Sequence, residues 1–128
     1  MSIAERVLVS PVMSGSDAVD ATSVVWPYTD TGIITRAYIM PRVGVSADNT
    51  NNITITAAQN SQNIFSKQTN VAGGALTADT AEEQTILAAL DGEELEVEKG
   101  ESVTFAVAKS GTGPAYELHV VLVYRLAN

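Results

Sequence analysis

The sequence predicts an all-β fold, a single antiparallel β-sandwich domain. Apolar residues recur with a period of two in several runs: Ile53, Ile55 and Ala57; Val103, Phe105 and Val107; and Tyr116, Leu118, Val120, Leu122, Tyr124 and Leu126. About seven to nine such runs are separated by segments rich in Gly, Pro, Asn, Asp and Ser, at intervals of roughly 8–12 residues. Only residues 80–90 have a helix-like composition.

Arg6-Val7-Leu8-Val9-Ser10-Pro11-Val12 reads as a first strand or as an extended arm. Pro11 confines it to an edge, because proline donates no ladder hydrogen bond. With the small, polar loop over Met13–Asp20 it sets residues 1–20 apart as an N-terminal arm and loop, ahead of a sandwich domain over residues 21–128. Thr22–Tyr28 is β-branched and aromatic, and Pro27 ends or bends it. In the next strand, Ile33–Met40, Arg36 assigns Ile34, Tyr38 and Met40 to the wetter face and Ile33, Thr35, Ala37 and Ile39 to the drier one.

Ser46–Asn52 is a loop dense in Asn and Asp, which bond to nearby backbone and stabilise turns. Ile53–Ala58 follows as a strand with a clean alternation, then a weaker strand over Gln62–Lys67. Thr80–Leu90 leaves helix and strand open, with the balance towards a short strand over Thr85–Leu90. Leu95 and Val97 alternate with Glu94, Glu96 and Glu98, a strand with one wet face. Lys99-Gly100 turns the chain into Ser102–Lys109. Ser110–Pro114 then reads as the turn of a closing hairpin whose second strand is Ala115–Leu126. The unbroken apolar run Val120–Val123 marks that strand as central and covered on both sides, by this chain or by another subunit.

A chain of 128 residues buries about 68% of its unfolded surface as one domain, enough for a core without staples. It has no cysteine, which excludes disulfides and thiolate metal sites. No run approaches the roughly 20 apolar residues of a membrane-spanning helix, so no membrane partner is expected. Met1–Arg6 lacks the basic and apolar regions of a secretory signal, and synthesis and folding in the cytoplasm are expected. Charge is uneven: Asp79–Glu101 holds nine acids and one base, contributing −8, while the remaining six acids and six bases cancel. That balance argues against nucleic acid, which demands a basic footprint. The acidic run itself reads as a solvated face or as a surface for a basic partner or cation.

Little in the chain points to catalysis, and no cofactor is expected. His119 is the only histidine, on the less apolar face of the last strand, where structural or interface packing is the plain reading. A transition-metal site would lack a second nitrogen or sulfur ligand. Glu94, Glu96 and Glu98 lie in a row about 6–7 Å apart, too spread to converge on one cation, and Asp48–Asn52 lacks the spacing of a calcium loop. A glycosidase would need two carboxyls in an aromatic cleft, and Trp26 with Tyr28 is the only pair suited to stacking on a sugar. Gly111-Thr112-Gly113 does not open a helix and is no phosphate loop.

Gly32-Ile33-Ile34-Thr35-Arg36-Ala37-Tyr38, Asn52-Ile53-Thr54-Ile55, the run Glu96–Phe105 and the Gly111-Thr112-Gly113 turn together resemble small jelly-roll proteins that decorate the capsids of tailed bacteriophages. The resemblance covers residues 30–126 and rests on turn motifs. It implies a jelly-roll-like sandwich with an extended N-terminal arm, a homotrimer seated on the major capsid protein, and a virion protein made in the cytoplasm of a bacterial host. It carries over no catalytic residue, and the acidic run matches no part of it. Interface residues are then expected at Val7, Val9, Trp26, Tyr28 and His119. The alternative is a carbohydrate- or receptor-binding tip domain of a phage fibre or spike, exposing Trp26 and Tyr28 beside Asp48–Asn52. A cupin-like enzyme would normally show two or more histidines, against the single one here.

Overall fold

Side chains on a strand point alternately to opposite faces, so the period-two runs can bury one face against a second sheet. A computed structural model describes residues 4–60, 62–70, 73–87 and 95–127. Its strands are β1 (Arg6–Val9), β2 (Met13–Gly15), β3 (Asp20–Val25), β4 (Gly32–Pro41), β5 (Asn52–Gln59), β6 (Gln62–Gln68), β7 (Glu82–Gln84), β8 (Leu95–Val97), β9 (Ser102–Ser110) and β10 (Tyr116–Leu126), with no helix among the described residues. One sheet has the order β1-β10-β4-β7, with β2 also on β10 and β8 also on β4; the other has the order β3-β9-β5-β6. β1 with β2, and β7 with β8, act as two interrupted edge strands. The chain then crosses between sheets at every connection except the β5–β6 hairpin, which is jelly-roll topology.

The core is the set of inward residues that alternation selects. Ile53, Ile55 and Ala57 of β5, Val103, Phe105 and Val107 of β9, and Tyr116, Leu118, Val120, Leu122 and Tyr124 of β10 are all buried. β4 departs from simple alternation. Arg36 pairs with Val123 but Ile34 with Tyr124, so Thr35 is an extra residue in a bulge. Thr35 is exposed, and its hydroxyl donates to the Val123 carbonyl at 3.3 Å. The bulge resets the faces: Ile34 joins the core cluster, while Ile33, equally buried, lies outside that cluster in a row between Arg125 and Glu96. A second bulge lets adjacent Ile64 and Phe65 both be buried, because Ala57 pairs with Phe65 and Ala58 with Asn63.

Three expectations are corrected. β9 and β10 do not form a closing hairpin but lie in different sheets. Both edges of β9 are taken by β3 and β5, and both edges of β10 by β1 with β2 and by β4, so residues 111–115 must cross the sandwich. Gly111 has φ +65°, and a Cβ there would lie 2.5 Å from the Thr50 carbonyl, so the crossing demands glycine. Residues 6–9 and 13–15 are not an arm: they pair with β10, whose edge would otherwise be open. Ser10 bridges the break at Pro11, donating its N–H to the Val120 carbonyl and accepting the Val120 N–H on Oγ at 2.8 Å. The short strand near Thr85–Leu90 lies earlier, at Glu82–Gln84, where Ala37–Ile39 of β4 offers a free edge; residues 88–94 lie outside the described residues. β10 is central, as expected, and within this chain only its inner face is covered, with Val121 and Val123 partly exposed on the other.

Polar contacts close the perimeter. Lys67 of β6 bonds Glu82 of β7 at 3.1 Å, and the Leu87 N–H donates to the Ile64 carbonyl at 2.7 Å, tying the two sheets along one side. At one end, Asp17 accepts Lys109 Nζ at 2.6 Å and the Gly113 N–H at 2.9 Å. The Lys109 hydrogen bond, then that of Gly113, holds the Asp17 carboxyl below its usual range. At the other end Trp26 plugs the core, 2% exposed, with its indole N–H on the Asp30 carbonyl at 3.2 Å. Gly32 makes room for it, since a Cβ there would lie 2.1 Å from the indole Cζ2. Gly32→Ala should therefore overpack the core and cost about 2 kcal/mol, read as a lower urea midpoint with an unchanged slope.

Candidate interaction surface

The face of the β1-β10-β4-β7 sheet that points away from the core collects apolar side chains. The register sets them in rows, because directly paired residues point the same way. Val7 pairs with Val123, and Val123 with Arg36. The next row runs Val9, Val121, Tyr38 and Glu83, and the next places His119 beside Met40. Val7 is 60% and Val9 49% exposed, while Tyr38, Met40, His119, Val121 and Val123 are half-buried.

Charges frame this patch rather than enter it. At one end Arg42 and Glu117 approach to 3.9 Å, and at the other stand Arg36, Arg125 and Glu96, with Glu83 at the side. Arg36 bonds the Tyr38 hydroxyl and feels Glu5 and Glu83, which hold its guanidinium more firmly protonated than usual. An apolar centre with a polar rim is the anatomy of a protein contact surface.

The five expected interface residues divide. Val7, Val9 and His119, distant in sequence, meet on this face. Trp26 does not belong to any surface, because its ring is buried in the core. Tyr28 is half-buried beside it, with ring centroids 5.2 Å apart and edge-on. Tyr124 completes the cluster 4.8 Å from Trp26, and its hydroxyl donates to that of Tyr28 at 3.0 Å. Val121 and Val123 were marked in the sequence only as part of the apolar run Val120–Val123, and Tyr38 and Met40 were not singled out. The signal for those two was apolar character on the face that Arg36 marks as outward.

The acids serve the backbone. The Glu101 carboxylate accepts the Glu98 N–H at 2.6 Å, the Gln59 amide at 2.6 Å and the Asn60 amide, bracing the turn between β8 and β9. Asp48 accepts the Thr50 and Asn51 N–H groups at 2.7 and 2.8 Å, and these bonds, Asn51 first, lower its pKa. Among the described residues no three His, Asp or Glu side chains gather to hold a metal; Asp91, Glu93 and Glu94 lie outside them. A groove of about 390 Å³ between the β4–β5 loop and residues 112–115 includes Val45, Asp48, Asn51 and Pro114 but no aromatic ring. It lies at the opposite end of β4 from Trp26 and Tyr28, so the sequence's stacking pair and its polar loop do not form one site.

No family model matches this chain, nor does any curated protein or solved structure.

Burial, then the Tyr28 hydroxyl, pushes the Tyr124 pKa from 10.0 up to about 12. Below pH 10 both the folded and unfolded chains keep this proton. Between pH 10 and 12 only the folded one does, so stability should fall across that window. Urea midpoints at pH 9 and pH 11 should drop less in Tyr124→Phe than in the unaltered chain.

Proposed function

We propose that this chain is a structural protein of a tailed-phage virion, which binds the outside of the capsid as a homotrimer and stabilises it. The observation that carries this reading is the outward apolar patch on β1, β10 and β4. Sheet faces open to water normally carry polar side chains, and this one presents Val7, Val9, Val121 and Val123 in a cluster. The motif resemblance supplies the major capsid protein as the partner. The mechanism is associative: each copy buries a modest apolar patch, and a shell with many equivalent seats accumulates those small gains. Rim charges would set orientation, with little effect on net affinity.

Co-sedimentation with purified tailed-phage capsids, expanded and unexpanded, tests the reading. Retention is expected on at least one form, and Val9→Asp or Val121→Asp should weaken it by about tenfold or more, since each sets a desolvated charge at the centre of the contact. No retention on either form would sink the decoration proposal. Light scattering of the free protein should give the mass of three chains, and a monomer at every concentration would rule out the trimer.

A further inference from the structure

Open sheet edges invite pairing with other chains, and proteins protect them with short strands, charges, prolines or bulges. Three of the four edges here carry such protection. β1 has four residues, an exposed Arg6 and a break at Pro11. β7 and β8 have three residues each and carry Glu82, Glu83 and Glu96. β6 is bulged at Ile64 and holds the inward-turned Lys67. The fourth edge, β3, is guarded only at its first residue, where Asp20 turns inward. Among the described residues it pairs only with β9, in unbroken register, and the five residues Ala21–Val25 contain no charge, proline or bulge. Val25 and the preceding Val19 are 59% and 66% exposed.

The outer face of its sheet has the same character. The charged residues Asp20, Lys67 and Lys109 pair with the inward-facing Val107, Ile55 and Ile53, so they point to the inner side. The outward positions are small and uncharged, as in the row Ala21, Ala106, Thr56 and Ser66. A chain of net charge −8 repels its own copies. The acids of β7 and β8 lie on the side where β6 and β7 are tied, across the sandwich from β3. Two copies meeting at β3 thus keep those acids apart and bring together strands whose one charge, Asp20, sits at the end and turns inward.

We infer that β3 is the strand through which two copies of this chain pair edge to edge, antiparallel about a two-fold axis at Ser23. The two sheets then join into one of eight strands, with Ala21 of each copy opposite Val25 of the other. This contact uses none of the outward patch on β1, β10 and β4, so it does not depend on the decoration reading and can link single chains or trimers.

Light scattering across a concentration series tests it. The mass should double from its lowest unit, whether one chain or three. Ser23→Lys, which sets like charges opposite each other across the axis, should move that doubling to about tenfold higher concentration, with unchanged circular dichroism. Val9→Asp should leave the doubling in place. The chain has no cysteine of its own, so Ser23→Cys under mild oxidation should give a covalent dimer, since opposed strand residues lie within disulfide reach. A series with no doubling, or one that Ser23→Lys leaves unmoved, would overturn the inference. Capsid retention reports separately on the decoration proposal, and Ser23→Lys should keep it.

Discussion

β10 pairs from Leu118 to Leu126 with β4 on one side, and with β2 and then β1 over most of the other. Its inward residues, from Tyr116 to Tyr124, form a wall of the core. Most of the architecture follows from that double pairing. It draws the N-terminal residues into the sheet, because an unpaired β10 edge would leave backbone N–H and C=O groups open along a mostly apolar strand. It denies β9 a place beside β10, so the chain must cross between sheets at Gly111. It also leaves Val121, Val123 and His119 on the free face, flanked by Val7 and Val9 on one side and Tyr38 and Met40 on the other.

The polar residues act chiefly as fasteners. Glu101 braces a turn, Asp48 shapes a loop, Asp17 ties Lys109 of β9 to the crossing at Gly113, and Lys67 with Glu82 closes one side. Carboxylates committed to backbone N–H groups and amides in this way are poorly placed for proton transfer or metal binding. The aromatic cluster of Trp26, Tyr28 and Tyr124 plays the same part in the core, sealing the end away from the loop groove. What is left for contact with other molecules includes the free edge of β3 and the two outer sheet faces. One face is apolar with a charged rim, and the other is small-chained and uncharged, so they suit different partners.

The inward residues of β5, β8, β9 and β10 were legible as written, because one buried face imposes alternation and a one-residue slip would turn every side chain out. In β4 the same rule placed Ile33, Ala37 and Ile39 correctly among the buried residues but missed Ile34 and Thr35, where the bulge inserts one residue, buries Ile34 and exposes Thr35. Val7, Val9 and His119 could be picked out one by one as an exposed valine, another, and a lone histidine. That they share a face with Tyr38 and Met40 depends on register between strands more than 80 residues apart in some pairs, and no local pattern encodes it. Trp26 shows the converse: a β-rich aromatic run does not say whether its ring faces solvent, and here the space left by Gly32 draws it inside.

By itself, the sequence determined the β class, most strand positions, the wet and dry faces of the regular strands, and the want of a histidine or cysteine set for chemistry. These are local properties, carried by alternation, turn residues and composition. Tertiary structure alone decided which strands are neighbours, that the last two strands part into separate sheets, that residues 6–9 and 13–15 are an edge rather than an arm, and which apolar residues are left outward together. The physical reason is that pairing is a competition among distant edges for backbone hydrogen bonds and for a place on the core, and its outcome belongs to the whole chain.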